Sequence, residues 1–115
     1  MSKINLHGKR FSPIRNSEGG RVKNDSIFVF EQDNNRFKAT YWGEGFSDGH
    51  LIGVLTSDTE ADLIYHCRDN ATDNLEAGEA KAIFSHSDSG KVIITMDWHW
   101  LNGSQTSGTS QYQEH

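Results

Sequence analysis

Turn-forming clusters recur at near-even intervals along this chain, and that spacing constrains its fold more than any other feature. They are Asn16-Ser17-Glu18-Gly19-Gly20, Asp33-Asn34-Asn35, Gly43-Glu44-Gly45, Ser57-Asp58, Asp69-Asn70, Ser87-Asp88-Ser89-Gly90 and Asn102-Gly103. Gly, Asn, Asp and Ser supply the positive φ angles and local side-chain hydrogen bonds that tight turns need. Short apolar runs between regularly spaced turns signal an antiparallel β meander. The runs cover 4–12, 21–31, 36–42, 46–56, 61–68, 75–85, 91–101 and 108–114, which predicts about eight strands in one domain over residues 1–115. Eight strands are enough to close a small barrel.

Side chains alternate across a strand, so parity predicts the core. In 91–100, Val92, Ile94, Met96, Trp98 and Trp100 share one face and Lys91, Thr95, Asp97 and His99 the other. The same test puts Leu63, Tyr65 and Cys67 inward against Asp62, His66 and Arg68, and Phe37, Ala39 and Tyr41 inward against Arg36, Lys38 and Thr40. Strand 26–31 divides less cleanly, with Phe28 and Phe30 on one face but Ile27 and Val29 on the other. That pattern predicts cover on both faces or pairing in a homodimer. Two stretches carry helical signals: Ser57-Asp58-Thr59-Glu60 has capping-box spacing, and 75–84 is rich in Ala, Glu and Lys. Strands are favoured at both, because Gly78 interrupts the second stretch and Tyr65, His66 and Cys67 are indifferent helix formers.

Charge and cysteine content narrow the function classes. Residues 1–23 carry a net +5 and the remainder −10 within an overall charge of −5. The split fits either a basic edge that meets an acidic partner or, the favoured reading, a basic N-terminal hairpin that neutralises neighbouring acidic strands, and an acidic chain without a Lys/Arg-rich face lacks the footprint of a nucleic-acid binder. One cysteine excludes an intrachain disulfide. No apolar run approaches the roughly 18–20 residues of a membrane span, and the opening Met1-Ser2-Lys3-Ile4-Asn5 lacks the apolar stretch of a signal peptide. The expectation is a cytoplasmic protein with no membrane and no nucleic-acid partner.

Several stretches resemble a group of small bacterial proteins of about 110 residues that often carry a transferred label of N-acetylglutamate synthase. They are Gly8-Lys9-Arg10-Phe11 followed by Asn16, Glu18 and Gly20; Ala39-Thr40-Tyr41-Trp42-Gly43; Gly49-His50-Leu51-Ile52-Gly53; and Trp98-His99-Trp100 followed by Gly103, Ser107-Gly108, Ser110 and Glu114. The resemblance spans nearly the whole chain and implies a compact β fold. The chain departs from the group after Gly78, where Glu79-Ala80-Lys81-Ala82 and Ser85-His86-Ser87-Asp88 replace a cysteine and a short proline-containing turn. The label itself implies acetyl transfer from acetyl-CoA, which in the common acetyltransferase fold needs a Gly-rich loop at a helix N-terminus to bind pyrophosphate. The nearest stretch, 43–49, places Glu44 and Asp48 where phosphate would sit and precedes a strand.

Candidate chemistry comes from three groupings. Asp48/His50, His86/Asp88 and Asp97/His99 have i, i+2 spacing and metal-ligand residue types. They fall on exposed faces or in a turn, so no metal site is expected, and no cofactor. His66 and Cys67 are neighbours in sequence but point to opposite faces of a strand, which makes Cys67 a small buried hydrophobe. The third grouping is inward and polar: Tyr41, Tyr65, Trp98, Trp100, Tyr112 and Glu114. Buried phenols and indoles need hydrogen-bond partners, which Glu114 or a small ligand would provide. The small residues Gly53, Gly78, Ala80 and Ala82 either leave room for that ligand or are the small half of a taper that makes room for the tryptophans.

The sequence therefore predicts an all-β antiparallel meander closed into a calycin-like barrel of the lipocalin or avidin kind. Its leading function is non-catalytic binding of a small, partly apolar ligand among those six residues. A filled barrel acting as a homodimer is the second expectation. An enzyme using Glu114 beside Tyr41 or Tyr65 is the third.

Overall fold

A computed structural model describes residues 4–16, 26–102 and 107–115. Every regular element in them is a strand: β1 (Arg10–Asn16), β2 (Ile27–Asp33), β3 (Arg36–Gly43), β4 (Phe46–Leu55), β5 (Glu60–Asp69), β6 (Leu75–His86), β7 (Val92–Trp100) and β8 (Ser107–Glu114). Each strand pairs antiparallel with the next, and β8 pairs with β1, which closes the barrel. The predicted fold is the observed one. Both stretches with helical signals lie in strands or the turn before one.

One predicted boundary moves by several residues. The first strand begins at Arg10, later than the run 4–12 implied, because residues 4–9 cross one end of the barrel as a plug. Ile4 and Leu6 are buried there. The Ile4 N–H donates to the Asp58 carbonyl at 3.1 Å, the Leu6 N–H to Gln32 Oε1 at 2.7 Å, and Gln32 Nε2 returns a bond to the Ile4 carbonyl at 2.9 Å. An apolar run that caps a barrel reads like a strand in sequence. The second strand is observed from Ile27, and the predicted residues 21–25 lie outside the described ones, as does most of the turn at 16–20.

The plug and the turns after β2, β4 and β6 define the lower end; the turns after β3, β5 and β7 define the upper. Parity gives the core as predicted: Phe37, Ala39, Tyr41, Leu63, Cys67, Val92, Ile94, Met96, Trp98 and Trp100 are buried, and Tyr65 packs against them. In β2, Phe28 and Phe30 are buried while Ile27 and Val29 are half-buried. β2 has strands hydrogen-bonded on both sides, β1 and β3.

One packing device repeats around the wall. Phe37 pairs across strands with Gly53, Tyr41 with Gly49, and Tyr65 with Gly78. In each pair the ring lies over the glycine: a Cβ added at Gly53 would sit 2.2 Å from Phe37 Cζ, at Gly49 2.6 Å from the Tyr41 ring, and at Gly78 2.4 Å from Tyr65 Cζ. Gly53 and Gly78 therefore make room for Phe37 and Tyr65, where the sequence suggested room for the tryptophans.

Gly53→Ala should destabilise the barrel by about 1–3 kcal/mol, the usual range for forcing extra volume into a packed site. Urea unfolding of this variant and of Gly53→Ala combined with Phe37→Leu checks it: the smaller side chain should restore part of the loss. Equal losses in both would mean that the ring is not what the new methyl meets.

Candidate functional site

The upper half of the interior gathers most of the residues picked out by sequence. Tyr41 and Phe46 come from the strands either side of the 43–46 turn, Tyr65 and Cys67 from β5, and Trp98 and Trp100 from β7. All point inward because they share the core parity of their strands. Phe28 stacks on Tyr41 with ring centroids 4.7 Å apart and meets Tyr112 edge-on at 4.9 Å, so Tyr112 forms the floor. Tyr65 meets Trp100 edge-on at 5.0 Å.

The three phenols, the only tyrosines in the chain, have different polar surroundings. Tyr41 donates to the His66 carbonyl at 2.9 Å. Burial pushes its hydroxyl well above the ordinary range, and the neighbouring Cys67 thiol adds to the effect. Tyr112 accepts a hydrogen bond from the buried Ser110 hydroxyl at 2.8 Å; burial pushes it up to about 12, with that bond pulling slightly the other way. The Tyr65 hydroxyl is buried and has no hydrogen-bond partner among the described residues. Burial raises it too, while the His99 backbone, near it without bonding it, opposes that rise.

Glu114 does not join this group. It stands at the lower end, where Oε1 accepts the Val92 N–H at 2.7 Å and Oε2 faces Lys9 Nζ at 3.7 Å. Parity placed it on the same face as Tyr112, but strand direction carries it to the rim near the plug, and the backbone takes the hydrogen bond proposed for the phenols. Cys67 is buried, as the reading of a small hydrophobe required.

The outer surface holds features that parity along one strand did not show. An open groove is lined by residues of β2 to β8, most of them outward-facing, with Phe37, Leu63, Ala80 and Trp98 of the inward face among them. Part of it follows one row of cross-strand partners: Glu31, Lys38, Ile52, Ile64, Glu79, His99. Ile52 and Ile64, directly paired, are 57% and 52% exposed, and Val54 beside them 46%. Exposed apolar side chains also occur elsewhere, among them Ile14, Trp42, Leu75 and Ile83, but Ile52, Val54 and Ile64 group together on β4 and β5, whereas Ile27 and Val29 of β2 are half-buried. The Asp/His pairs also resolve differently from their spacing. Asp48 forms an ion pair with Arg68 at 2.5 Å, and His50 lies against His66 across the strands. Among the described residues no cluster of three or more metal-ligating side chains occurs.

A family described as avidin-like protein matches residues 4–115. No curated protein matches the chain, and no solved structure does.

The buried phenols give the protein a defined alkaline limit. In the unfolded chain they ionise near pH 10, whereas folded Tyr112 holds its proton to about 12 and Tyr41 and Tyr65 are raised as well. Stability from these groups is therefore whole below about pH 10 and drains away as pH rises through 12. Tyrosinate absorbance and near-UV circular dichroism should change together in one cooperative step above pH 10. Tyrosinate appearing at its ordinary pH with the fold intact would overturn the burial.

Proposed function

Because the chain belongs to the avidin-like family, we propose that its barrel is a non-catalytic binder of a small, partly apolar ligand. The ligand is held in the upper interior among Tyr41, Tyr65, Trp98 and Trp100, with Tyr112 beneath. The observation that carries this is the Tyr65 hydroxyl, buried without a partner among the described residues. An orphaned buried polar group costs about 1–3 kcal/mol, and a ligand oxygen or nitrogen within reach of the hydroxyl removes that cost on binding. The edge-on Trp100 indole beside it offers apolar surface to the rest of the molecule. The binding group thus comprises five of the six residues picked out by sequence, and Glu114 serves the lower rim.

Acetyl transfer has less support. The 43–46 stretch is a hairpin turn between two strands, with Gly45 at φ 87°, where the transferase chemistry asks for a helix start.

A second reading rests on the outer face. The Ile52–Ile64 pair with Val54 gives an exposed apolar strip, flanked by the Lys38–Glu31 ion pair at 3.4 Å and the Lys81–Asp62 pair at 3.3 Å. A homodimer through β4 and β5 would bury that strip and exchange its flanking charges between copies.

Native mass spectrometry of the purified protein tests the first reading. A reproducible adduct that leaves on unfolding is expected, weakened at least tenfold in Tyr65→Phe and in Trp100→Ala. Ligand-free Tyr65→Phe should be no less stable than the parent, since it removes an unpaired hydroxyl. An adduct held equally by Tyr65→Phe would remove the anchor, and a clean apo protein would favour a filled barrel. Sedimentation tests the second reading: a dimer that Ile64→Lys converts to a folded monomer supports it, and a monomeric parent at high concentration ends it.

A further inference from the structure

We propose that His50 and His66 form a two-imidazole seat for a divalent transition-metal ion on the outer face of β4 and β5. The two residues are directly paired across the strands, both are exposed, and their ring centroids stand 5.3 Å apart at an interplanar angle of 41°. Opposed positions in an antiparallel pair hold two Cβ atoms about 4.5–5.5 Å apart, so the backbone fixes the origin of both side chains. Imidazole nitrogen binds zinc at about 2.0–2.1 Å, which places the ion about 3.2 Å from the centre of each ring. Two rings sharing one ion then have centres about 4.5 Å apart at a right angle, about 5.2 Å at the tetrahedral angle and about 6.4 Å in line. The observed 5.3 Å is the tetrahedral spacing.

The surroundings suit such an ion. Asp48, the carboxylate nearest in sequence to His50, is held by Arg68, so it neither competes for the pair nor leaves an uncompensated charge there. Thr40 flanks His50 on β3 and Ala77 flanks His66 on β6, and the next row down is Ile52 and Ile64. No other charged group pairs directly with either ring in these rows. Two imidazoles select borderline cations such as Zn2+, Ni2+ and Cu2+ over Mg2+ and Ca2+, which prefer oxygen. Water completes the coordination, so the seat is open. The ion would tie β4 to β5 beside the register shift between Ser47 and His50, the place where the backbone ladder itself is interrupted.

Calorimetric titration of the full chain with Zn2+ tests this, with Mg2+ alongside. One Zn2+ per chain is expected, bound at least tenfold more weakly by His50→Ala and by His66→Ala. The double variant should be no weaker than either single one, because each loss already breaks the pair. His99→Ala, an outward histidine on β7, should bind as the parent does, and Mg2+ should give no heat. Zn2+ should also raise the thermal midpoint of the parent but of neither single variant, since binding only the folded state stabilises it. Parent-like binding by either single variant overturns the proposal, as does equal loss in His99→Ala. All three positions are exposed, so the variants fold.

Discussion

A ring laid over a glycine on the facing strand is the contact on which the rest of this barrel depends. An eight-stranded barrel is only just wide enough for its own side chains, and this one turns Phe, Tyr and Trp inward from most of its strands. Rings projecting straight to the axis would collide. At Phe37/Gly53, Tyr41/Gly49 and Tyr65/Gly78 the ring instead lies along the wall, in volume that a Cβ would occupy. The device also fixes register. A slip of one residue on β4 would bring Asp48 or His50 opposite Tyr41 and Ile52 or Val54 opposite Phe37, under rings that now rest on glycine, and would turn the core side chains of that strand outward.

The same contact governs the polar end of each ring. Tyr41, resting on Gly49, reaches the His66 carbonyl on the next strand but one and satisfies its hydroxyl. Tyr65, resting on Gly78, carries its hydroxyl to a place where no described residue bonds it. The two positions differ in what lies beside the hydroxyl: the His66 carbonyl, which accepts, in one case, and the His99 backbone in the other. One wall-hugging geometry therefore yields a structural tyrosine and an unpaired one, and only the second has a reason to meet a ligand.

Much of this was legible in the sequence because it depends on local chemistry. Turn residues at regular spacing give the strand count, and period-two alternation gives the inward face of β3, β5 and β7 residue by residue. What escaped depends on distance in the chain. Ile4 and Leu6 alternate with polar residues as they would in a strand, and nothing local says that they cap an end. Glu114 shares Tyr112's parity, but parity carries no information about which end of the barrel a residue reaches. His50 and His66 are sixteen positions apart, and their meeting follows from the β4–β5 register alone. A search along single strands finds Asp48 with His50, a pairing that the register shift between Ser47 and His50 and the Arg68 ion pair together dissolve.

Alternation gives the barrel two surfaces that share a backbone but not side chains. On β5, Leu63, Tyr65 and Cys67 face the interior, while Asp62, Ile64, His66 and Arg68 face out. A substitution at Ile64 or His66 leaves the rings over Gly49 and Gly78 untouched, and a substitution at Tyr65 leaves the outer row of cross-strand pairs as it was. Interior binding and outer-face chemistry are thus free to vary independently on one strand pair. They remain linked through one element, the β4–β5 ladder, whose stiffness holds Gly49 under Tyr41 on one side and sets the spacing of the two imidazoles on the other. Whatever ties those strands together from outside also steadies the wall against which the interior aromatics rest.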